Sequence, residues 1–328
     1  MTAHEQAGEP RSADRARAAA VGRDHFGFDS ATMVGVPGAV CASSEGRAIA
    51  VVDEATMTVV GGVLLWAERA GVGLEALIVP ERDRVGVVAG WLEGFASPPV
   101  VRGLTGRELF SPGPAPESAA PIPPVVPAEF EAADVEVVIE NGMVLAEVDG
   151  LEVARVLIDA DGRERVAVGV GRYDRAAHDV MSAEMPLAER LATVVEGVRA
   201  VRRPVAAAHN LNRLCRERWL RAVLVAEPGP VGLVELRPAD PIPPRESLLD
   251  RGPAPAVGTD AAGAKVLVMA TAGIDPSVTV ATSAVARREE PDRIVVALPP
   301  RDLIRPTERL LATLRWPVKS FPMDPPWG

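Results

Sequence analysis

Lysine is almost absent from this chain: only Lys265 and Lys319 occur among 35 basic residues, and all the others are arginines. The arginines are spread along the whole length, so the bias reads as a compositional habit rather than a basic tail. Cysteine is equally scarce. Cys41 and Cys215 make no C-x-x-C pair and no metal-ligand spacing, which leaves two buried free thiols as the expectation. The four histidines, His4, His25, His178 and His209, include no H-E-x-x-H and no close pair. No G-x-x-x-x-G-K-[ST] loop occurs, which removes a P-loop nucleotide hydrolase even though the run Ala48–Val52 leads into Asp53-Glu54. Gly71-Val72-Gly73 and Gly169-Val170-Gly171 stop short of G-x-G-x-x-G, so a classical dinucleotide site is not expected. A G-x-S-x-G elbow is missing too, and no serine has a base close by in sequence. No apolar run is long and continuous enough to span a bilayer, and MTAHEQAGEPRSADRARAAA has no apolar signal core. A cytoplasmic protein with no membrane partner is the resulting expectation.

What is present points to a large core. Apolar residues make up 48% of 328, which argues against global disorder, and the length suits one large domain or two moderate ones. The formal charge of -10 argues against extensive nonspecific contact with nucleic acid, although a local basic face could still make one. The most organised stretch is Lys265 to Phe321, which reads β-α-β-α-β: KVLVMA at Lys265–Ala270, a helical run after Asp275-Pro276, IVVALP at Ile294–Pro299, a second helical run, and VKSF. The same order occurs near the N-terminus, with strands at Ala48–Val52, Ala76–Pro80 and Val100–Gly103. Strand starts lie about 28 residues apart in both, which suits a strand-helix-strand crossover. Both second strands leave through a similar sequence, VPERD and LPPRD, where proline stops the ladder and Asp83 or Asp302 could cap the next helix. The expected fold is therefore α/β, with two similar β-α-β-α-β halves sharing one mostly parallel sheet.

Between the halves lies something different. Residues 1–24 are polar and expected to be flexible, with a short helix through Ala13–Val21 as an option. The discontinuous α/β domain then covers 25–110 and 256–328. Prolines crowd 111–127, an extended linker, and return in 227–255, where Gly232–Leu236 could be a strand. These passages bracket an inserted α+β domain at 128–226. Its first part alternates as an antiparallel meander of about four strands, with Asn141-Gly142, Asp149-Gly150 and Asp161-Gly162 as turns. Its second part is helical: Leu187, Leu191, Val194, Val195, Val198 and Val201 recur on one helix face, and Asn210–Val225 suggests a further helix.

Two charge clusters fall in this insert. Glu140, Glu147, Asp149 and Glu152 lie on adjacent strands or turns, with Asp174 and Asp179 in the next helix. Solvated acids on a sheet surface are the simple reading. The functional one is a Mg²⁺ or Mn²⁺ site that activates water for phosphodiester cleavage, with Glu147, Asp149, Glu152 and Arg155 as catalytic candidates. Asp149-Gly150-Leu151-Glu152-Val153-Ala154 resembles the D…E-x-K pattern of restriction-endonuclease-type nucleases, with Ala154 where the lysine stands and Arg155 the only nearby cation. The second cluster is basic. From Pro186 to Arg221 eight arginines face three glutamates, and Arg213, Arg216 and Arg218 are candidates for a phosphate or an acidic partner. Trp219 among them reads as a core anchor.

GLEVARV at Gly150–Val156, GVGRYDRAA at Gly169–Ala177 and HNLNRLCRERWLR at His209–Arg221 together resemble a family of uncharacterised actinobacterial proteins over about the central third of the chain. That resemblance implies membership and no particular activity. Since each catalytic motif is absent or degraded, the expected function is that of a cytoplasmic ligand-binding or protein-interaction protein without a classical cofactor. The alternative is the divalent-metal-dependent nuclease or phosphodiesterase. The location of the deepest cavity relative to the four acids discriminates between them.

Overall fold

The computed structural model describes residues 12–115, 122–159, 161–181, 184–203, 209–245 and 247–327. The first eleven residues and part of the 111–127 linker thus lie outside the described residues. From the N-terminal side the chain forms α1 (Ser12–Phe26), β1 (Thr32–Val36), β2 (Ala39–Ser44), β3 (Arg47–Val52), α2 (Met57–Ala70), β4 (Gly73–Val79), α3 (Val85–Leu92), β5 (Val100–Thr105) and β6 (Glu108–Phe110). The middle comprises α4 (Ala128–Ala132), β7 (Glu136–Glu140), β8 (Met143–Val148), β9 (Leu151–Ile158), β10 (Glu164–Val168), α5 (Gly171–Met181) and α6 (Leu187–Val201). Then follow α7 (Arg216–Ala226), β11 (Glu235–Pro238), β12 (Ala254–Thr259), β13 (Lys265–Ala270), α8 (Val278–Glu289), β14 (Arg293–Leu298), α9 (Arg305–Leu311) and β15 (Val318–Pro322).

The fold is α/β with two similar halves and an inserted antiparallel sheet, and the element order the halves share is longer than the sequence pattern suggests. Both halves run α-β-β-β-α-β-α-β, α1 to β5 in one and α7 to β15 in the other. In each, the first two strand pairings are antiparallel and the next two parallel. The single shared sheet is not found. The halves build separate sheets, ordered β1-β2-β3-β4-β5-β6 and β11-β12-β13-β14-β15, and β7 to β10 form a third. The reason is local: a hairpin strand, β2 or β12, occupies the edge of β3 or β13 along which a joined sheet would have to continue, and β6 covers the outer edge of β5.

The chain divides into two compact units, one of residues 1–118, 274–288 and 304–317, the other of 119–273, 289–303 and 318–328. Helices α8 and α9 therefore belong to the first unit, although the strands they join belong to the second. In the first unit, part of the stretch expected to be flexible is helical: α1 lays Ala18 and Val21 on Val40, Ile49, Val51 and Ile78. Thr56 starts α2 by accepting from the Val59 amide (3.2 Å), and Gly71 ends it in the left-handed region at φ 65°. Phe95 and Leu314, which follow α3 and α9 at the same offset, pair antiparallel, with Arg315 N donating to Gly94 O (3.0 Å) and Ala96 N to Thr313 O (2.9 Å).

In the second unit the meander forms as its turns demand. Asn141-Gly142 and Asp149-Gly150 each supply two successive positive φ angles (49° and 75°, 50° and 69°), the geometry of type I′ hairpins. One face of this sheet packs Val144, Ala146, Leu151 and Val153 against the expected stripe Leu191, Val194, Val195 and Val198 of α6. Three local expectations fail. Asn210–Val225 is not one helix, because a 3-10 turn at Asn210–Arg213 ends before Cys215, which sits at φ 47°, and α7 starts only after it. Neither Asp83 nor Asp302 caps a helix: 3-10 turns intervene, and the Asp302 carboxylate accepts from the Gly273 amide (2.7 Å). Gly232–Leu236 becomes a strand only from Glu235, and it joins β12, a strand whose Pro255 hid it.

Candidate functional site: a cleft in the inserted module

The acids do come together, but on arginines. In the ladder Glu136 lies opposite Glu147, and Glu147 opposite Glu152, with the register shift between β8 and β9 beside them. Alternation puts Glu140 and Arg155 on the same sheet face. Glu140, Glu147 and Glu152 are 3%, 0% and 1% exposed, so the solvated acidic surface expected from the sequence is not there. Helix α7 supplies the counter-charges. Arg221 Nη1 donates to Glu140 Oε1 (2.6 Å) and Nη2 to Glu147 Oε2 (3.2 Å), while Arg218 Nη2 reaches Glu140 Oε2 (3.4 Å) and Glu147 Oε1. Burial alone would raise the Glu140 carboxyl, but Arg218 and Arg221 outweigh it and hold its pKa at about 2. Burial likewise opposes the Arg218 cation, and Glu147 with Glu140 lifts it above its ordinary range.

Glu152 is held separately. Arg155 grips it with Nε and Nη2, both at 2.6 Å, and Arg175 from α5 adds Nη1 at 2.8 Å. Asp149 sits in the turn, its amide accepted by Glu136 (3.2 Å) and its own carboxyl raised by burial. Among the described residues no group of three His, Cys, Asp or Glu side chains could hold a metal ion. The physical reason is that the carboxylate oxygens already accept from guanidinium groups, and a divalent cation would enter beside several positive charges.

The basic candidates disperse. Arg213 is exposed, Arg216 donates to Asn212 O (3.0 Å) and lies over the Trp327 ring, and Arg218 is buried with the acids. Trp219 is the expected core anchor, 1% exposed and packed beside Trp327. Sequence reasoning missed the part of Arg202. This buried side chain donates to the carbonyls of Asp149 (2.8 Å), Leu211 (2.9 Å), Leu214 (3.1 Å) and Cys215 (3.3 Å), tying the β8–β9 turn to the break before α7. Burial lowers its pKa to about 10. Cys41 and Cys215 are buried free thiols, pushed up by burial to about 12 and about 11. A thiol so raised is no nucleophile at neutral pH.

The cavity that matters lies beside Glu152 rather than between the acids. A half-open cleft of about 910 Å³ is bounded by Arg155 of β9, the first two turns of α5, the Thr193–Val198 face of α6, the 3-10 turn near His209 and the turn Ser247–Leu249. None of Glu140, Glu147, Asp149 or Glu152 lines it. Val194, Val198, Leu211, Leu214 and Leu248 give it apolar walls, and Arg172, Arg175, His178 and His209 polar ones. Helix α5 is turned inside out to achieve this. Its apolar stripe, Tyr173, Ala176, Ala177 and Val180, is exposed, Tyr173 by 80% and Val180 by 82%. Of its polar residues Arg175 turns inward onto Glu152, while the more exposed Asp174 accepts from Val170 N (2.7 Å) and Asp179 lies between Arg165 (3.2 Å) and Arg190 (3.0 Å). Gly197, in the middle of α6, lines the cleft with no atom within 4 Å of where a Cβ would stand. A glycine inside a helix costs about 1 kcal/mol relative to alanine, and this was the one sequence signal of an open floor.

Fold and cleft thus define an α/β protein of two similar halves with an inserted antiparallel module that carries the cleft. No family model, curated protein or solved structure matches the chain. Among the described residues, no helix is long and apolar enough to cross a membrane.

Proposed function

We propose that this is a non-catalytic ligand-binding protein, cytoplasmic by expectation, whose site is the α5–α6 cleft. The observation that carries the reading is the cleft itself: about 910 Å³, with an apolar side of Val194, Val198, Leu211 and Leu214 and a polar side of Arg155, Arg175 and His178, within the usual size of small-molecule sites. The metal-dependent nuclease reading would draw on Glu147 and Glu152, and both are committed to arginines.

Gly197→Leu tests the proposal without attacking the fold. The new side chain enters open space, and exchange of a mid-helix glycine for a good helix former should stabilise α6 by up to about 1 kcal/mol. Titration with the neutral apolar dye Nile red should give saturable one-site fluorescence enhancement in the wild type. In Gly197→Leu that enhancement should fall at least tenfold while the melting temperature stays level or rises. Equal dye binding by both proteins removes the cleft as the site, and none by either removes it as a site for neutral apolar molecules.

A further inference from the structure

The polar side of the cleft carries more positive charge than the protein neutralises. Arg155 and Arg175 share the single carboxylate of Glu152, so two cations meet one anion. Among the described residues Arg175 gives only Nη1 to protein, and Nη1 of Arg155 reaches nothing better than Met143 Sδ at 3.8 Å. Both side chains are mostly buried, at 14% and 15% exposure, yet the unused Arg175 nitrogens are not buried, so they stay open to an incoming group. Asp174, the one acid among the described lining residues, accepts from the Val170 amide and keeps its charge, so Arg155, Arg172 and Arg175 stand against Glu152 and Asp174, an excess of one positive charge. Burial lowers the pKa of Arg175, and the neighbouring Arg155 adds to this while Glu152, Asp174 and Asp179 oppose it. The other side of the cleft, from α6 and the turn after His209, is apolar through Val194, Val198, Leu211 and Leu214.

Charged donors on one side and aliphatic side chains on the other match one kind of molecule. We propose that the cleft takes a small anionic amphipath, its oxyanion head against Arg155 and Arg175 and its apolar body along α6 and Leu211. This rests on the cleft being the ligand site. A guanidinium fork suits a carboxylate or phosphate head, and the apolar wall rewards chain length. Neutral amphipaths of the same length forgo the first contribution, and inorganic phosphate forgoes the second.

Calorimetric titration of decanoate and decanol into the full chain separates these contributions. Decanoate should bind at least tenfold tighter than decanol at low salt, with the ratio shrinking as salt rises. Affinity should increase about fourfold per methylene from octanoate to decanoate. Arg175→Gln should erase the decanoate advantage and leave decanol unchanged, because Glu152 keeps both bonds from Arg155. Should that variant not fold, the wild-type comparison of the two ligands decides alone. Equal binding of decanoate and decanol, both lost in Gly197→Leu, would overturn the anionic class while leaving the cleft as a site. Decanoate binding that survives Gly197→Leu would place the molecule elsewhere and overturn it as well. If neither ligand nor Nile red binds, the cleft reading fails first and this inference with it.

Discussion

At the scale of single residues, the decisive fact is that Glu140 and Glu147 are paired with Arg218 and Arg221, more than 70 residues away in sequence. The acids and the arginines were each legible as clusters, but their pairing was not, because no local rule tells which helix will cover a sheet face. A buried quartet of this kind is worth little against an apolar replacement of all four, yet removing one member strands a charge and costs about 3–5 kcal/mol. Glu147→Ala should therefore lower unfolding stability by that amount in urea titrations at pH 7. The pH dependence follows from Glu140. Its folded pKa of about 2 lies below the ordinary carboxylate value, so its stabilisation is complete above about pH 4.5 and disappears as the pH falls towards 2. The loss across that window is on the order of 3 kcal/mol at 1.36 kcal/mol per unit. Glu140→Gln should start less stable at pH 7 and show a flatter decline between pH 4.5 and 3. A parallel decline in both proteins would mean that other carboxylates govern acid unfolding.

At the scale of elements, periodicity succeeds where an element buries one apolar face and fails where function or a distant partner reverses it. The stripe of α6 and the runs of β13 and β14 are where the pattern placed them. Helix α5 was expected as a helix, but its apolar stripe points outward because Arg175 reaches inward to the buried Glu152 and Asp179 bridges Arg165 and Arg190. Strand β12 was hidden by Pro255, tolerable there because β11 pairs β12 only as far as Pro238 opposite Ala256, one residue short of it. The β8–β9 turn illustrates a tertiary demand on a local motif. Asp149-Gly150 is a good hairpin turn on its own, but Gly150, at φ 69°, also lies against the backbone of Arg218 and Trp219. A Cβ there would be strained and would push away the start of α7. Gly150→Ala should destabilise by about 2 kcal/mol or more and loosen Arg218 from Glu147. Urea unfolding gives the magnitude, and a shift in tryptophan emission would report the movement of Trp219. An unchanged midpoint and spectrum would show that the turn is not held against α7.

At the scale of the molecule, the element order shared by the two halves explains both what was readable and what was not. The parallel strands of each half are short apolar runs with no competing pattern, and they were legible. The first helix of each half was legible only in part, as Ala13–Val21 and within Asn210–Val225, since α1 is an alanine- and arginine-rich helix with few buried positions and α7 buries charged residues. The later helices of the second half complete the first unit rather than their own, and glycine marks where they do so. Helix α8 is buried from Val278 to Ala286, and Ser283 Oγ donates to Trp91 O (2.6 Å) while accepting from Gly94 N (3.1 Å). At the start of the same segment the Pro276 carbonyl presses on α2 where Gly61 has no side chain. Gly62, next to it, has only Val36 at an ordinary 3.7 Å. Both glycines lie inside a helix, so alanine gains the same propensity of about 1 kcal/mol at either. At Gly62 that gain should survive as a small rise in melting temperature. At Gly61 the methyl must displace the Pro276 peptide, and overpacking of about 1–3 kcal/mol should outweigh the gain and lower it. Opposite signs from adjacent glycines in one helix cannot come from helix propensity, so they would locate the 274–288 segment against α2. Equal shifts in the two variants would mean that this segment does not complete the first unit.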